Sequence, residues 1–131
     1  MLDPQIVDTT LDGPIELTLP ADTRLLRLVR LVASGLASTA GFDVDELEDL
    51  RIAVDEAVAA LLEGGDGSRL ELRFDIDDRV VTMLGRTAAN REPLNGARLD
   101  ISRQILAAVV DEHDVDCDDA IRVRILKRRG T

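Results

Sequence analysis

Asp49–Glu63, DLRIAVDEAVAALLE, is the stretch from which the rest of the chain can be read. Leu50, Val54, Ala57, Val58 and Leu61 recur at spacings of three and four, so the segment forms an amphipathic helix with one buried face. On that helix a carboxylate, Glu56, stands one turn before a bare Ala60, and residues four apart lie stacked on one helix face. Any site that Glu56 serves therefore also receives the methyl group of Ala60.

Working upstream, the acidic run Asp43, Asp45, Glu46, Glu48 and Asp49 starts this helix, because negative charge near an N-terminus complements the helix dipole. Before it, Asp22 or Thr23 caps another helix with an apolar stripe of Leu25, Leu28, Val29, Val32 and Leu36, ended by Gly41. Ile15 to Leu19 alternates as I-E-L-T-L, a half-buried strand stopped by Pro20. Residues 1–14, with Pro4, Gly13 and Pro14, read as a loose leader, and 15–131 as one domain.

Downstream, GGDGS at Gly64–Ser68 terminates the central helix. Leu70, Leu72, Phe74 and Ile76 alternate with charged residues, and Val80–Leu84 follows the Asp77-Asp78 turn, a β-hairpin spacing. A loop from Gly85 to Gly96 leads to a third helix carrying Leu99, Ile101, Ile105, Leu106, Val109 and Val110. DEHDVDCDD, Asp111–Asp119, reads as a polar connection to a last strand with Ile121, Val123 and Ile125. Strand, two helices, hairpin, helix, strand makes an α+β two-layer sandwich with helices on one face of a sheet.

Composition narrows the functions open to such a domain. A chain of 131 residues buries enough surface for one core without disulfides or metal. Phe42 and Phe74 are the only aromatic residues, so stacking platforms for nucleic-acid bases are missing. A formal net charge of -10 disfavours nucleic acid and anionic membrane and favours a basic protein partner. The lone Cys117 forms no intramolecular disulfide and fits a reducing cytoplasm. The first residues carry acids and no signal-peptide pattern, and no apolar run is long enough to span a bilayer.

DEHDVDCDD has the residue types of a metal site, but its spacing matches no zinc pattern and lacks the glycine and terminal Glu of a calcium loop. The single His113 has no nucleophile near it in sequence with which to form a hydrolytic set.

The motif helix resembles that of the histidine-kinase-like ATPase superfamily, and within it the anti-sigma factor serine kinases of RsbW type, whose helix reads roughly L-x-x-A-V-x-E-A-x-x-N. LTLPADTRLLRLVRLVASGLA followed by DELEDLRIAVDEA carries the same resemblance, which extends from Ile15 to about Lys127. It implies a mixed, mainly antiparallel sheet, an ATP pocket, a Glu as general base, an Asn holding Mg²⁺, an Asp reading adenine and glycine-rich phosphate loops. Glu56 falls on the base position, with Asp55 a second carboxylate beside it. The Asn position is Ala60, which offers no oxygen to a cation that requires oxygen ligands. Where D-x-G-x-G should follow Leu84 the chain reads GRTAAN, and before the third helix only Asn95-Gly96-Ala97-Arg98 stands in place of a G-x-G run.

Phosphoryl transfer depends on positioning and on charge stabilisation by metal and backbone donors, so a chain without these parts is expected to lack kinase activity. Glu56 is then a relic of the base, and no cofactor or metal is expected. The resemblance also implies a second role, gripping a sigma factor, in which a homodimer and an arginine of the first helix take part. That arginine falls on Arg30, and Arg24 and Arg27 precede it to form a cationic edge. The expected function is an anti-sigma regulatory protein in a partner-switching system, released by an anti-anti-sigma antagonist. Two alternatives stand beside it: an active serine kinase using ATP, Mg²⁺ and Glu56 on the antagonist, and a scaffolding or dimerisation module with no sigma target.

Overall fold

A computed structural model describes residues 8–92 and 94–130. β1 (Ile15–Pro20) leads through a 3₁₀ turn (Thr23–Leu25) into α1 (Leu26–Thr39) and α2 (Val44–Gly64). β2 (Arg69–Asp77) and β3 (Val80–Ala88) form the hairpin, followed by α3 (Gly96–Val109), β4 (Glu112–Cys117) and β5 (Ala120–Arg128). The strands form one sheet in the order β1-β2-β3-β5-β4. Every pairing is antiparallel, so the mixed character implied by the resemblance is absent from the described strands.

The core lies between the helices and one sheet face. Phe74, Leu70, Met83, Ile121 and Ile125 from the sheet are essentially solvent-free, as are Leu50, Val54, Val58 and Leu61 of α2. α2 starts with a capping box: Asp43 accepts from the Glu46 N–H at 2.8 Å, and Glu46 accepts from the Asp43 N–H at 2.9 Å. Gly41, at φ +80°, turns the chain between α1 and α2 in a conformation that favours glycine.

Four sequence expectations need correction. Asp22 caps the 3₁₀ turn, accepting from Arg24 N at 2.9 Å, and α1 proper starts at Leu26. Leu28 is not in the buried stripe: it is 43% exposed, and Ala33 and Ala37 fill the core side instead, because small residues let α1 approach α2 closely. β3 continues through Gly85 to Ala88, so the expected loop starts four residues late; Gly85 belongs in the strand because a Cβ there would meet Leu61 Cδ1 at 2.8 Å. The polar connection DEHDVDCDD contains the edge strand β4. Val115 is buried and His113 and Cys117 are half-buried, while Glu112, Asp114 and Asp116 face water. Glu112 reaches Arg128 at 2.9 Å and Arg124 at 3.5 Å, so the acids that suggested a loop serve as cross-strand charge partners on an edge.

Met1–Val7 of the leader lie outside the described residues. Its later part is tied down: Leu11 N donates to Ile76 O at 3.0 Å, and Thr9 and Thr10 accept through Oγ1 from the N–H groups of Arg79 and Asp78. Those two residues form the hairpin turn at φ +69° and +41°, so the threonine hydroxyls secure a strained turn.

Candidate functional site

Glu56, Ala60 and Glu63 fall at i, i+4 and i+7 on α2, one stripe along the helix. Arg98, Ser102 and Leu106 fall at i, i+4 and i+8 on α3, and the two stripes meet. Asn95 sets the phase of α3 by capping it, accepting from Arg98 N at 2.8 Å. Arg98 thus emerges in the first turn directly beside α2.

The Arg98 side chain closes the junction. Nη1 donates to Glu56 Oε1 at 2.6 Å and lies 2.6 Å from Ser102 Oγ, while Nε donates to Glu63 Oε2 at 2.7 Å. The Ser102 hydroxyl donates to the same Glu56 oxygen at 2.7 Å, completing a triangle. The Arg98 and Glu56 side chains are only 20% and 13% exposed, so these charge-assisted bonds form largely away from water. The two carboxylates hold the guanidinium firmly protonated, Glu63 by the larger effect, against the opposing cost of burial.

Ala60 sits between the two glutamates on the stripe and is wholly buried. Glu56 and Glu63 are separated by about 10 Å of helix rise, and the Arg98 side chain bonds to both. Behind it, Leu94 packs against Gly64 so closely that a Cβ on Gly64 would meet Leu94 Cγ at 2.8 Å. The end of α2 and the approach to α3 are drawn together. Gly96-Ala97-Arg98 keeps a glycine only at the first place of a G-x-G run, and its third place is the arginine that fills the junction.

A magnesium nucleotide does not fit this donor set. Glu56 Oε1 already accepts two hydrogen bonds, and Ala60 brings no oxygen. In GRTAAN, Thr87 is buried with its hydroxyl donated to Arg69 O at 2.6 Å. Among the described residues no group of three or more His, Cys, Asp or Glu is placed to hold a metal ion.

The other site residues named from sequence lie elsewhere. Asp55 turns away from Glu56 and forms a two-pronged pair with Arg30, Oδ1 to Nε at 2.7 Å and Oδ2 to Nη2 at 3.0 Å, tying α1 to α2. Arg24 is held by Asp22 at 2.6 Å. Arg27 is exposed and has no ion-pair partner among the described residues. Sequence reasoning missed Arg98 and Ser102 as site residues. The available signal was two polar residues four apart, in line with Leu106 on the core-facing side of α3.

No protein-family model matches the chain. The serine-protein kinase RsbW of Bacillus subtilis is 32% identical over 108 residues, 78% of this chain and 63% of that protein. That of Staphylococcus epidermidis is 28% identical over 135 residues, 86% of this chain and 85% of the relative. The chain spans only 43% of the length of a further relative of the same name from Halalkalibacterium halodurans. Among solved structures, the RsbU and RsbW domains of a Mycobacterium tuberculosis protein align over 88% of this chain and 32% of theirs, at TM-score 0.62 and 20% identity. That likeness concerns the fold. None of the described helices is long and apolar enough to cross a membrane. With its sequence relatives and its antiparallel sheet under three helices taken together, the chain belongs to the RsbW-like family.

Proposed function

We propose that this protein is an anti-sigma regulator that sequesters a sigma factor in a partner-switching system and does so without nucleotide. The observation that carries the reading is the Arg98–Glu56 pair: an internal guanidinium engages the carboxylate that would have to act as general base. Proton abstraction by Glu56 would require release of both Arg98 and Ser102, and no oxygen at Ala60 would then receive Mg²⁺.

The cationic edge of α1 supports the binding half of the reading. α1 contains no acidic residue in a chain of net charge -10, and Leu28 and Leu31, 43% and 64% exposed, stand beside Arg27. An apolar pair next to a free arginine suits a partner surface of apolar and acidic side chains. Arg24 and Arg30 frame it, each anchored by an aspartate. The family supplies the expectation of a homodimer and of an antagonist that frees the sigma factor.

Each sigma factor of the host, expressed singly, is mixed with the protein and passed over a sizing column with and without magnesium ATP. One sigma factor is expected to co-elute equally in both. Capture only in the presence of ATP, or transfer of labelled phosphate from ATP to an antagonist protein, would establish the kinase reading instead. Absence of any complex would leave the scaffolding alternative.

A further inference from the structure

Gly35 occupies the interior of α1, where glycine is a poor helix former, and nothing inside the fold asks for it. Its φ is not in the left-handed region, which among the glycines holds only Gly41 and Gly67. A Cβ added to Gly35 would meet no atom within 4 Å, whereas one on Gly85 would meet Leu61 Cδ1 at 2.8 Å. Gly13 and Gly96 have open space too, but they stand in the leader and at the first position of α3, where glycine is ordinary. Neither backbone conformation nor internal packing accounts for a glycine at position 35, so the close approach that it permits comes from outside the chain.

The surroundings of Gly35 fit such an approach. Arg27, Leu31, Gly35 and Thr39 follow one another at four-residue spacing and are all exposed, so they form one row along α1 that drops to bare backbone at Gly35. Leu31 is 64% exposed, and Leu28, beside it, 43%. The Thr39 hydroxyl donates to the Gly35 carbonyl at 2.9 Å, so the backbone oxygen that the glycine bares has a side-chain partner and loses little when water is excluded. At the other end of the row Arg27 has no ion-pair partner among the described residues, and α1 contains no acidic residue to supply one.

We infer that a helix of the captured sigma factor crosses α1 at Gly35, an inference that rests on the capture reading above and adds the point of contact and the chemistry of the partner segment. A partner side chain enters the gap in the row between Leu31 and Thr39, which lets the two helix axes come close. The partner's apolar stripe lies on Leu31 and Leu28, and an acidic residue about two turns along reaches Arg27, about 12 Å from Gly35 along the helix. An extended segment is a poorer occupant, because mid-helix N–H and C=O groups of α1 are already spent within the helix and the segment's own would be left unpaired, whereas a helix satisfies its own. A second copy of this chain would bring a further net charge of -10 and, from its own α1, no acid for Arg27.

The sigma factor that co-elutes with the protein is titrated with the unchanged chain and with Gly35→Ala and Gly35→Leu. The added side chains replace a poor helix former and enter open space, so the melting temperature is expected to hold or rise, which separates lost binding from lost folding. Affinity is expected to fall about tenfold for alanine and about a hundredfold for leucine. Among fluorescein-labelled peptides covering the helices of that sigma factor, one is expected to bind, to gain helical circular dichroism in the complex and to be lost with Gly35→Leu. Full capture by Gly35→Leu would overturn the inference, and the capture reading would survive it if Leu31→Ser still weakened binding. A bound segment that gains no helix would also overturn it, as would a homodimer in sedimentation that Gly35→Leu dissociates while capture is unchanged. A protein that captures no sigma factor at all would remove both readings.

Discussion

Arg98 and Glu56 face each other from α3 and α2 with Nη1 2.6 Å from Oε1, although they are 42 residues apart in the chain. The contact joins two helices, and it engages the one motif carboxylate that α2 keeps. Its stabilising role and its chemical consequence are the same interaction. Truncating Arg98 leaves the Glu56 carboxylate largely buried with only the Ser102 hydroxyl, a change that costs about 2–3 kcal/mol at sites of this kind, whereas truncating Glu56 leaves Arg98 still paired with Glu63. Arg98→Ala is expected to lower stability by about that amount in urea melts and Glu56→Ala by less, with the double variant clearly below the sum. Two small and additive losses would mean that the pair is merely a surface contact.

Ala60 lies on the same stripe of α2 as Glu56. Restoring the amide of the motif with Ala60→Asn places a larger polar side chain in a fully buried position. Overpacking with an imperfectly bonded amide costs about 1–3 kcal/mol. The expected outcome is a less stable protein with no gain in magnesium ATP binding by calorimetry. A stable variant that binds nucleotide would show the site to be a single substitution away from use.

On α1 the structure separates residues that the sequence placed together. Arg30 is paired with Asp55, so Arg30→Ala is expected to remove a half-exposed bridge between helices with only a small loss of stability. Arg27→Ala and Leu31→Ser touch no such bridge. They are expected to leave the melting temperature within a degree or two, roughly the effect of an ordinary surface substitution, while weakening sigma-factor capture in pull-downs. Capture that survives both changes would place the partner elsewhere.

Acid titration reads another local feature. The Asp22 carboxyl is lowered to about 2 from its ordinary 3.8, first by the Arg24 guanidinium and then by the Arg24 N–H. Asp118 is lowered to about 2 chiefly by the Ala120 N–H. Since folding depresses these pKa values, their stabilising contribution is complete above 3.8 and disappears as the pH falls through about 2. Amide shifts of Arg24 and Ala120 followed by NMR are expected to titrate with midpoints near 2; midpoints near 3.8 would mean that neither bond is maintained in solution.

Much of the fold was legible because α2 and the hairpin announce themselves by period. Leu50, Val54, Val58 and Leu61 repeat with the helix, and Leu70, Leu72, Phe74 and Ile76 with the strand. β4 was hidden because only Val115 among its inward positions is strongly apolar, and its acids find their partners on β5, a relation that no local window contains. The retained glutamate and the missing asparagine were readable on α2 itself. What occupies the glutamate was not, since Arg98 gains its meaning only when α3 is laid against α2. The same holds for Arg30, whose role as a brace depends on Asp55 of the next helix.

Calorimetric titration of the intact protein with magnesium ATP tests the filled site most directly. No binding heat is expected up to millimolar nucleotide, because Arg98 and Ser102 hold Glu56 and Ala60 offers the cation nothing. Saturable binding at micromolar nucleotide would contradict it.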